Sequence, residues 1–356
     1  MKLERLTFAD LPAWQDEDHA DALRVMARSC SELVSSGSGF ARRAALSGNR
    51  KDWNKTCRMI IEQAADASPV QARQLLEDLF VPVRLNGSTG QFTGYFEPEV
   101  EGSLVQTELY TVPVLKRPSD LVKLPATDAR RLGVGYGRME NGKAKAYYTR
   151  REIEQGRLAG LGLEIAWLKS WADLFFMQVQ GSGRVRLPDG SVLRLAYSLK
   201  SGLPYTSIGK VLIERGEMTR DEMSMQALRR WLDDHPGEAR GVMWQNDSYV
   251  FFRKLDGVHP ELGPVGAQQV PLTPFRSLAV DRSVWALGVP VWVSTTVFRN
   301  GKAHQFNALM VAQDTGSAIR GPQRGDIFFG SGDQAGRDAG LMDQPGELIA
   351  LLPHAL

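Results

Sequence analysis

Apolar residues in the first 80 positions recur every three to four residues, which is the period of an amphipathic helix. Segments 23–34 and 53–64 both follow this spacing. Ser68-Pro69 adds a helix start signal, a capping serine followed by a first-turn proline, ahead of the apolar stripe 75–80. The pattern therefore predicts N-terminal helices whose apolar faces belong to the protein core.

After residue 80 short apolar runs between turn residues replace the helical period. Segment 91–96 is one such run, and 184–195 reads as a hairpin with its turn at Pro188-Asp189-Gly190. Helices with serine caps are predicted at 207–215 and 224–233. From residue 249 onward the chain is mostly strands, which is typical of a small barrel. These predicted strands are 249–253, 277–280, 289–294, 308–312, 326–329 and 348–352.

The composition is that of a globular protein, with 356 residues of which 43% are hydrophobic and 24% charged. At about 100–200 residues per domain, this length predicts two domains. The 43 lysines and arginines nearly balance the 41 aspartates and glutamates, which argues against a dedicated nucleic-acid binder. No apolar run approaches the about 18 residues of a membrane span, so no transmembrane segment is predicted.

The cysteines and histidines do not form a metal-binding pattern. Cys30 and Cys57 lie outside any Cys-x-x-Cys motif, and their helical surroundings favour two core thiols over a disulfide, although an oxidised pair stays open. The five histidines are scattered, so no metal site is predicted; they are His19, His235, His259, His304 and His354. Neither a phosphate loop nor a Rossmann glycine fingerprint occurs, and no cofactor is predicted.

Three aspartates near the C-terminus, Asp281, Asp314 and Asp326, lie at strand edges or tight turns. Asp326 stands between a glycine and a buried strand, where desolvation could raise its pKa as a general acid requires. For Asp281 and Asp314 the alternative is the capping of turn amides. Asp314-Thr315-Gly316 also matches an aspartic-protease motif, but that chemistry needs a second such motif and the chain has none.

Ordered motifs between about residues 88 and 352 resemble the membrane-bound lytic murein transglycosylase A family. The segment 311–321 with Asp326-Ile327-Phe328 is similar to the three-aspartate double-psi β-barrel domain of that family. Further matching segments are 91–95, 178–183, 205–210, 223–227 and 335–340. The chain has Gly94-Tyr95-Phe96 where the family often has Gly-Tyr-Tyr, and Ser317 where it has a second glycine.

The resemblance implies a mainly β fold with N-terminal helices (α+β), in which a double-psi β-barrel domain is interrupted by a second β-rich domain. The barrel domain would comprise residues 1–98 and 258–356, and the inserted domain residues 99–257. In the family, peptidoglycan lies in a groove between these two domains.

The resemblance also implies the roles of individual residues. Asp326 matches the catalytic acid, with Asp314 and Asp281 as its supporting acids. The matching substrate-binding positions are Thr93, Gly94, Tyr95, Gln180, Gly181, Ser182, Tyr205, Ser207 and Lys210. Lys210 could meet a substrate carboxylate or be a solvated helix lysine, and both interpretations stay open.

Four other residues near these motifs are interpreted as structural. Trp285 and Trp292 could stack on sugar rings, but core strand positions are the favoured interpretation. Glu97 and Glu99 would be the second catalytic carboxylate in a hydrolase, and we interpret them as rim charges.

The implied activity is a lytic transglycosylase that cleaves the β-1,4 bond between N-acetylmuramic acid and N-acetylglucosamine with formation of 1,6-anhydro ends, without a cofactor. An inverting hydrolase on the same barrel and a non-catalytic glycan-binding module remain the alternatives. The implied partner is the peptidoglycan glycan strand, on the periplasmic side of a Gram-negative envelope. Outer-membrane attachment stays open, because the N-terminus has no apolar signal core and Ala27-Arg28-Ser29 before Cys30 is not an apolar lipobox.

Overall fold

The structure is a computed structural model, and it describes residues 2–40, 44–86, 89–257 and 262–354. The chain forms two compact units, Met1–Phe96 with His259–Leu356, and Glu97–Val258. Val258, the second boundary of the division predicted from the sequence, lies outside the described residues together with His259. The predicted domain division therefore stays a prediction.

The N-terminal part of the first unit contains the three predicted helices. Asp18, Asn49 and Ser68 are their N-caps; the Asp18 and Ser68 side chains accept the N–H groups of Asp21 and Gln71. One strand was missed, because Lys2–Arg5 is a short, charged edge strand without an apolar run. The elements are β1 (Lys2–Arg5), α1 (His19–Ser35), α2 (Arg50–Gln63), α3 (Pro69–Leu79), β2 (Phe80–Asn86) and β3 (Gly90–Glu97), with 3₁₀ turns at Phe8–Asp10, Trp14–Asp16 and Ser38–Phe40.

The second unit combines two sheets with short helices. Its strands are β4 (Glu99–Ser103), β5 (Val112–Leu115), β6 (Val122–Lys123), β7 (Tyr136–Glu140), β8 (Lys143–Ala146), β9 (Glu164–Leu168), β10 (Ser182–Arg186), β11 (Val192–Lys200) and β12 (Val250–Lys254). Its helices are α4 (Ala126–Leu132), α5 (Arg150–Glu152) continued by a π-helical turn (Ile153–Arg157), α6 (Trp171–Gln180), α7 (Ile208–Glu214), α8 (Met225–Asp234) and α9 (Pro236–Met243). The predicted hairpin is confirmed as β10–β11, and the two serine-capped helices are α7 and α8.

Helix α6 is the centre of packing in the second unit. The six-stranded sheet has the order β12-β11-β10-β4-β9-β5, and β6-β7-β8 form a separate three-stranded sheet. Leu174 and Met177 of α6 pack on the larger sheet, whereas Phe175 and Phe176 pack with residues of α7, α8 and α9. Because apolar residues cover most of its circumference, α6 is buried on several sides and joins the sheet to the helices.

The first unit resumes with five strands and one helix. They are β13 (Ser277–Val280), β14 (Pro290–Arg299), β15 (Lys302–Asp314), β16 (Arg324–Ser331), α10 (Gly332–Ala339) and β17 (Asp343–Pro353). Each of the five corresponding predicted strands is confirmed, and all but β13 are longer than predicted. The extensions carry polar residues, as in the β14–β15 hairpin around Asn300 and Gly301, so the apolar run marks only the buried part of each strand.

Six strands of the first unit, β3 and β13 to β17, form a closed barrel in the order β17-β14-β15-β13-β16-β3. The barrel closes because β3 also pairs with β17. The length of β17 makes this closure possible. Residues 343–346 pair with β3, residues 349–353 pair with β2, and the middle of the strand pairs with β14. Strand β13 pairs in parallel with β15 and antiparallel with β16. The chain is thus mainly β with N-terminal helices and a second β-containing unit.

Two tryptophans of the barrel unit confirm the core interpretation. Trp285 and Trp292 are 1% and 0% exposed. The indole N–H of Trp285 donates to the Pro322 carbonyl at 2.8 Å, and the ring of Trp292 meets that of Trp14 edge-on at 5.1 Å. Neither ring is available to a sugar face.

The cysteines differ from the favoured prediction, because Cys30 and Cys57 form a disulfide between α1 and α2. Their Cα atoms are 4.8 Å apart, and both side chains are buried. Helical periodicity places each cysteine correctly on an apolar face. It does not reveal which residues of the two faces meet, and only the packing of α1 against α2 brings this pair together.

We expect removal of the disulfide to lower the free energy of unfolding by about 3 kcal/mol, because the bond closes a loop across 27 positions of the unfolded chain. Urea unfolding of the wild type with and without reductant measures the difference. The double variant Cys30→Ala/Cys57→Ala is the control, since reductant should leave its unfolding midpoint unchanged. An unfolding midpoint of the wild type that does not respond to reductant contradicts the prediction.

Candidate active site

Strand register places Asp314 and Asp326 on the same face of the barrel wall. Ala279 of β13 lies opposite Asp326 of antiparallel β16 and opposite Asp314 of parallel β15. Side chains of residues directly opposite each other in a sheet point to the same face. The two carboxylates therefore flank the small Ala279 side chain, and the negative charge of Asp314 contributes to raising the pKa of Asp326.

Asp326 has a strongly altered protonation equilibrium. Burial raises its pKa from the ordinary 3.8 to about 6, against the opposing effects of the Thr93 hydrogen bond and the Arg324 charge. The Thr93 hydroxyl donates to Asp326 Oδ1 at 2.5 Å, and Arg324 Nη2 donates to the same hydroxyl oxygen at 2.8 Å. A substantial fraction of Asp326 is therefore protonated at mildly acidic pH, which is the state of a general acid.

Asp314 is held by three donors. Its Oδ1 accepts the N–H groups of Ala267 at 3.0 Å and Thr315 at 2.9 Å, and its Oδ2 accepts the Tyr95 hydroxyl at 3.1 Å. Burial raises the pKa of Asp314, and these hydrogen bonds oppose that rise. Burial and the two neighbouring aspartates also raise the pKa of Tyr95 well above its usual value, so this phenol stays protonated and remains a donor.

Asp281 has a different environment. It accepts both the N–H and the hydroxyl of Ser283, at 2.9 and 2.7 Å, and the N–H of Gly321 at 2.8 Å. Burial would raise its pKa, but these hydrogen bonds and the charge of Arg320 lower it. The contacts fit the turn-capping alternative that the sequence left open, and a supporting role in catalysis stays a prediction.

The three neighbouring residues of β3 divide between the site and the core. Thr93 and Tyr95 are two positions apart, so their side chains point to the same face and reach Asp326 and Asp314. Gly94 points to the opposite face, where a Cβ atom would lie 2.7 Å from the Phe329 ring and 2.9 Å from the Ala339 Cα. A glycine is needed there for β3 to approach β16 and α10 closely enough.

The remaining predicted binding residues lie in the second unit. Gly181 ends α6 with φ at +79°, and Ser182 begins β10 as a largely buried residue. Ser207 caps α7 by accepting the Lys210 N–H at 3.5 Å, while the Lys210 side chain is exposed. Gln180 lies at the end of α6, and Tyr205 is 42% exposed. Their contact with a substrate stays a prediction.

Two arginines that sequence patterns did not reveal lie beside the predicted site residues. Arg324 contacts Thr93, and Arg150 contacts Gln178 in the helix that ends with Gln180. Arg324 precedes Asp326 by two positions, and this same-face spacing on a strand is the signal that would have found it. Arg150 is 1% exposed and donates to Gln178 Oε1 at 2.5 Å and to the carbonyls of Asn246 and Ser248. No local pattern marks Arg150, since its partners are brought together only by the fold.

The interpretation of Glu97 as a rim charge is wrong. Its side chain is 0% exposed and pairs with Arg184 at 2.7 Å and Arg194 at 3.5 Å. Glu99 forms an ion pair with Arg186. Both arginines belong to the β10–β11 hairpin. The sequence does not reveal that this hairpin lies beside Glu97, because the contact depends on the fold.

Neither a metal cluster nor a membrane-spanning helix is found in the part of the chain that the structure describes. Within residues 2–40, 44–86, 89–257 and 262–354, no group of three or more His, Cys, Asp or Glu side chains is arranged to hold an ion. Across the same ranges, no helix has both the length and the apolar character needed to cross a bilayer.

Sequence comparison matches two domain families and a set of curated proteins. The MltA specific insert domain matches residues 91–253, and the 3D domain matches residues 276–352. The membrane-bound lytic murein transglycosylase A of Escherichia coli (strain K12) is 36% identical over 267 residues, which is 73% of the chain. That alignment spans 65% of the E. coli protein, so the chain matches slightly less than two-thirds of this relative's length.

Solved structures extend the similarity to almost the whole chain. The membrane-bound lytic murein transglycosylase from Agrobacterium tumefaciens is 38% identical, with a TM-score of 0.89, covering 99% of this chain and 98% of that one. E. coli MltA with bound chitohexaose is 29% identical, with a TM-score of 0.67, covering 92% of this chain and 90% of that one. The similarity therefore includes the N-terminal helices, which the sequence motifs did not cover.

We expect Asp326→Asn to stabilise the folded protein at pH 7. The pKa of Asp326 is about 6 in the folded protein and about 3.8 in the unfolded chain, so the protonated carboxyl favours the folded state. This stabilisation is complete below about pH 3.8 and is lost as the pH rises through about 6. Asparagine resembles the protonated form at every pH, so the variant should be more stable by up to about 3 kcal/mol at pH 7. The gain should disappear below about pH 4.

Urea unfolding of wild type and variant between pH 3.5 and pH 7 measures this difference in stability. Asp66→Asn, at an exposed position, is the matched control and should show no comparable pH-dependent gain. Equal stability of the wild type and Asp326→Asn at pH 7 would show that the Asp326 carboxyl is not desolvated in the folded state.

Proposed function

The chain belongs to the membrane-bound lytic murein transglycosylase A family, and we propose that it cleaves the β-1,4 bond between N-acetylmuramic acid and N-acetylglucosamine in peptidoglycan, leaving 1,6-anhydro ends. The observation that carries this proposal is Asp326, a carboxyl whose pKa burial raises to about 6 on the wall of the barrel. The activity named for the E. coli and A. tumefaciens relatives supports the same reaction. Chitohexaose, bound by E. coli MltA, is a β-1,4-linked glycan of related chemistry.

Asp326 acts first as the general acid and then as the general base. Its proton goes to the glycosidic oxygen as the bond to C1 of the muramic residue breaks. The resulting carboxylate accepts the proton of the C6 hydroxyl of that same residue as the oxygen bonds to C1. No water enters, and Asp326 returns to its protonated state.

A single carboxyl suffices for this reaction because the nucleophile belongs to the substrate. Glycosidases that use water generally need two carboxylates, an acid together with a base or a nucleophile. An intramolecular hydroxyl has a very high effective concentration once the sugar ring is held in the reactive conformation. The enzyme therefore needs to orient the ring and to supply one carboxyl that exchanges its proton near neutral pH.

The neighbours of Asp326 support both protonation states. Burial and the Asp314 charge favour the protonated acid, whereas the Thr93 hydrogen bond and the Arg324 charge favour the carboxylate formed after proton transfer. These opposing effects leave the pKa at about 6, which suits a group that donates and then accepts a proton. Asp314, fixed by its three donors, is the supporting acid in this scheme.

We further propose that residues of the second unit bind the glycan strand. Hydroxyl, amide and phenol groups supply directional hydrogen bonds to sugar hydroxyls and acetamides. The exposed Lys210 ammonium could meet a substrate carboxylate. The proposed binding residues there are Gln180, Gly181, Ser182, Tyr205, Ser207 and Lys210. A location on the periplasmic side of a Gram-negative envelope follows from this substrate and is part of the same proposal.

The register also favours an inverting hydrolase as a second candidate function. Asp314 and Asp326 are two strand spacings apart, about 10 Å between backbones, which comes close to the carboxyl separation of inverting glycosidases. Asp314 would then be the base that activates water. Glu97 does not suit this role, because it is fully buried in an ion pair with Arg184.

We expect wild-type protein to release, from purified peptidoglycan sacculi, muropeptides lighter by one water than hydrolysis products. Asp326→Asn should lower this turnover by about 10³-fold or more, since it removes both the acid and the base. Mass spectrometry of the products measures both results. Asp66→Asn, at an exposed position, is the control and should keep wild-type turnover.

Products with free reducing ends, lost in both Asp326→Asn and Asp314→Asn, would support the hydrolase and contradict the transglycosylase. Near-normal turnover by Asp326→Asn would show that Asp326 is not the catalytic acid.

A further inference from the structure

The hydroxyl of Thr93 lies between a guanidinium and a carboxyl. Arg324 Nη2 is 2.8 Å from Thr93 Oγ1, and Thr93 Oγ1 is 2.5 Å from Asp326 Oδ1. A guanidinium only donates hydrogen bonds, so Thr93 Oγ1 must accept from Arg324. The single hydroxyl proton of Thr93 is then directed to Asp326. The chain of hydrogen bonds therefore has one direction, from Arg324 to Thr93 to Asp326 Oδ1.

This direction decides which oxygen of Asp326 carries the proton. Oδ1 accepts the Thr93 proton, so the carboxyl proton of the acid form belongs on Oδ2. Without Arg324 the Thr93 hydroxyl is free to rotate and to accept a hydrogen bond from a proton on Oδ1. The acid proton would then be held by Thr93 instead of being presented to a glycosidic oxygen.

Arg324 is itself fixed in place by the barrel. Its Nη1 donates to the carbonyl of Gln91 at 3.2 Å and to the carbonyl of Gly325 at 2.5 Å. Gln91 and Thr93 belong to β3, whereas Arg324 and Asp326 belong to neighbouring β16. The guanidinium thus joins the two strands that carry the hydroxyl and the carboxyl, so it is preorganised before any substrate binds.

We propose that Arg324 is a positioning residue that acts through Thr93 to keep the transferable proton of Asp326 on Oδ2; this inference rests on the catalytic role of Asp326 proposed above. The Oδ2 proton moves to the glycosidic oxygen as the bond between that oxygen and C1 breaks. Oδ2 then takes the C6 hydroxyl proton as the bond between O6 and C1 forms. The protons of Arg324 and Thr93 stay in place throughout, so the reaction balances without any co-reactant.

Arg324 has a second, electrostatic effect on the same carboxyl. The titratable and charged groups that face Asp326 are Asp314, Tyr95 and Arg324. Of these, the Arg324 charge lowers the pKa of Asp326 and the Asp314 charge raises it. Loss of the guanidinium should therefore raise the pKa of Asp326 further, and the loss of activity on the alkaline side should move to higher pH.

Four variants separate positioning from a structural contribution. Arg324→Met removes the charge and the donors at similar length, and Arg324→Lys restores both. Thr93→Val removes the hydroxyl, and Thr93→Ser restores it. Arg5→Gln, at an exposed position of β1, is the control and should behave as wild type. Circular dichroism and urea unfolding establish that each variant is folded.

On soluble glycan strands, Arg324→Met and Thr93→Val should each lower kcat about tenfold with KM changed less than twofold. Both should shift the alkaline limb of the kcat profile to higher pH, and Arg324→Lys and Thr93→Ser should recover most of the rate. A wild-type kcat and alkaline limb in Arg324→Met overturn the proposal. A uniform loss at every pH that lysine does not rescue also overturns it, since it indicates a structural role alone.

A titration without substrate separates this inference from the proposed function. The ¹³C resonance of the Asp326 carboxyl, assigned by its absence in Asp326→Asn, reports the pKa directly. An upward shift of this pKa in both Arg324→Met and Thr93→Val supports the coupling even if Asp326→Asn retains turnover and the proposed function fails. An unchanged pKa in both variants overturns the coupling even if Asp326 proves essential.

Discussion

The register of three strands, β15, β13 and β16, is the constraint on which the candidate site depends. Strand β13 is only four residues long, yet it pairs in parallel with β15 and antiparallel with β16. The pairing with β15 contains an irregularity between Leu278 and Ala279. A slip of one residue in either ladder would turn one of the two carboxylates to the opposite face. The placement of the two carboxylates therefore depends on the closed barrel, in which the register of each barrel strand is fixed by both neighbours.

The N-terminal helices stabilise this register from the other side of the wall. Gln313, next to Asp314, donates from its amide to the Ser29 hydroxyl of α1 at 2.7 Å and accepts the Ser277 hydroxyl at 2.5 Å. The side-chain amide of Gln268 donates to the Ser29 carbonyl at 3.2 Å. Ser29 is next to Cys30, which the disulfide fixes to α2. The helices thus help to hold the strand end that carries Asp314.

The barrel desolvates the Asp326 carboxyl at a cost in stability. The ionised form of Asp326 is better solvated in water than in the barrel wall, so burial disfavours the charged carboxylate and raises its pKa. The buried ion pair of Glu97 with Arg184 and Arg194 differs, because there opposite charges lie close together and compensate part of the lost hydration. Asp326 has only a partial compensation through Thr93 and Arg324. Incomplete compensation suits the role proposed for Asp326, in which the carboxyl donates and then accepts a proton.

The amino-acid sequence alone determined the N-terminal helices, the barrel strands, the family and the identity of the chemical groups at the candidate site. Helical and strand periods predicted α1, α2 and α3 and the barrel strands, because burial imposes a period on each local segment. The ordered motifs mark Asp326, Asp314, Thr93 and Tyr95 as candidate site residues. Tertiary structure alone decided which of these groups meet: the pairing of Cys30 with Cys57, the buried ion pair of Glu97, and the contact of Arg324 with Thr93. Each joins residues whose proximity depends on strand register and helix packing, and such long-range contacts leave no period in the local sequence.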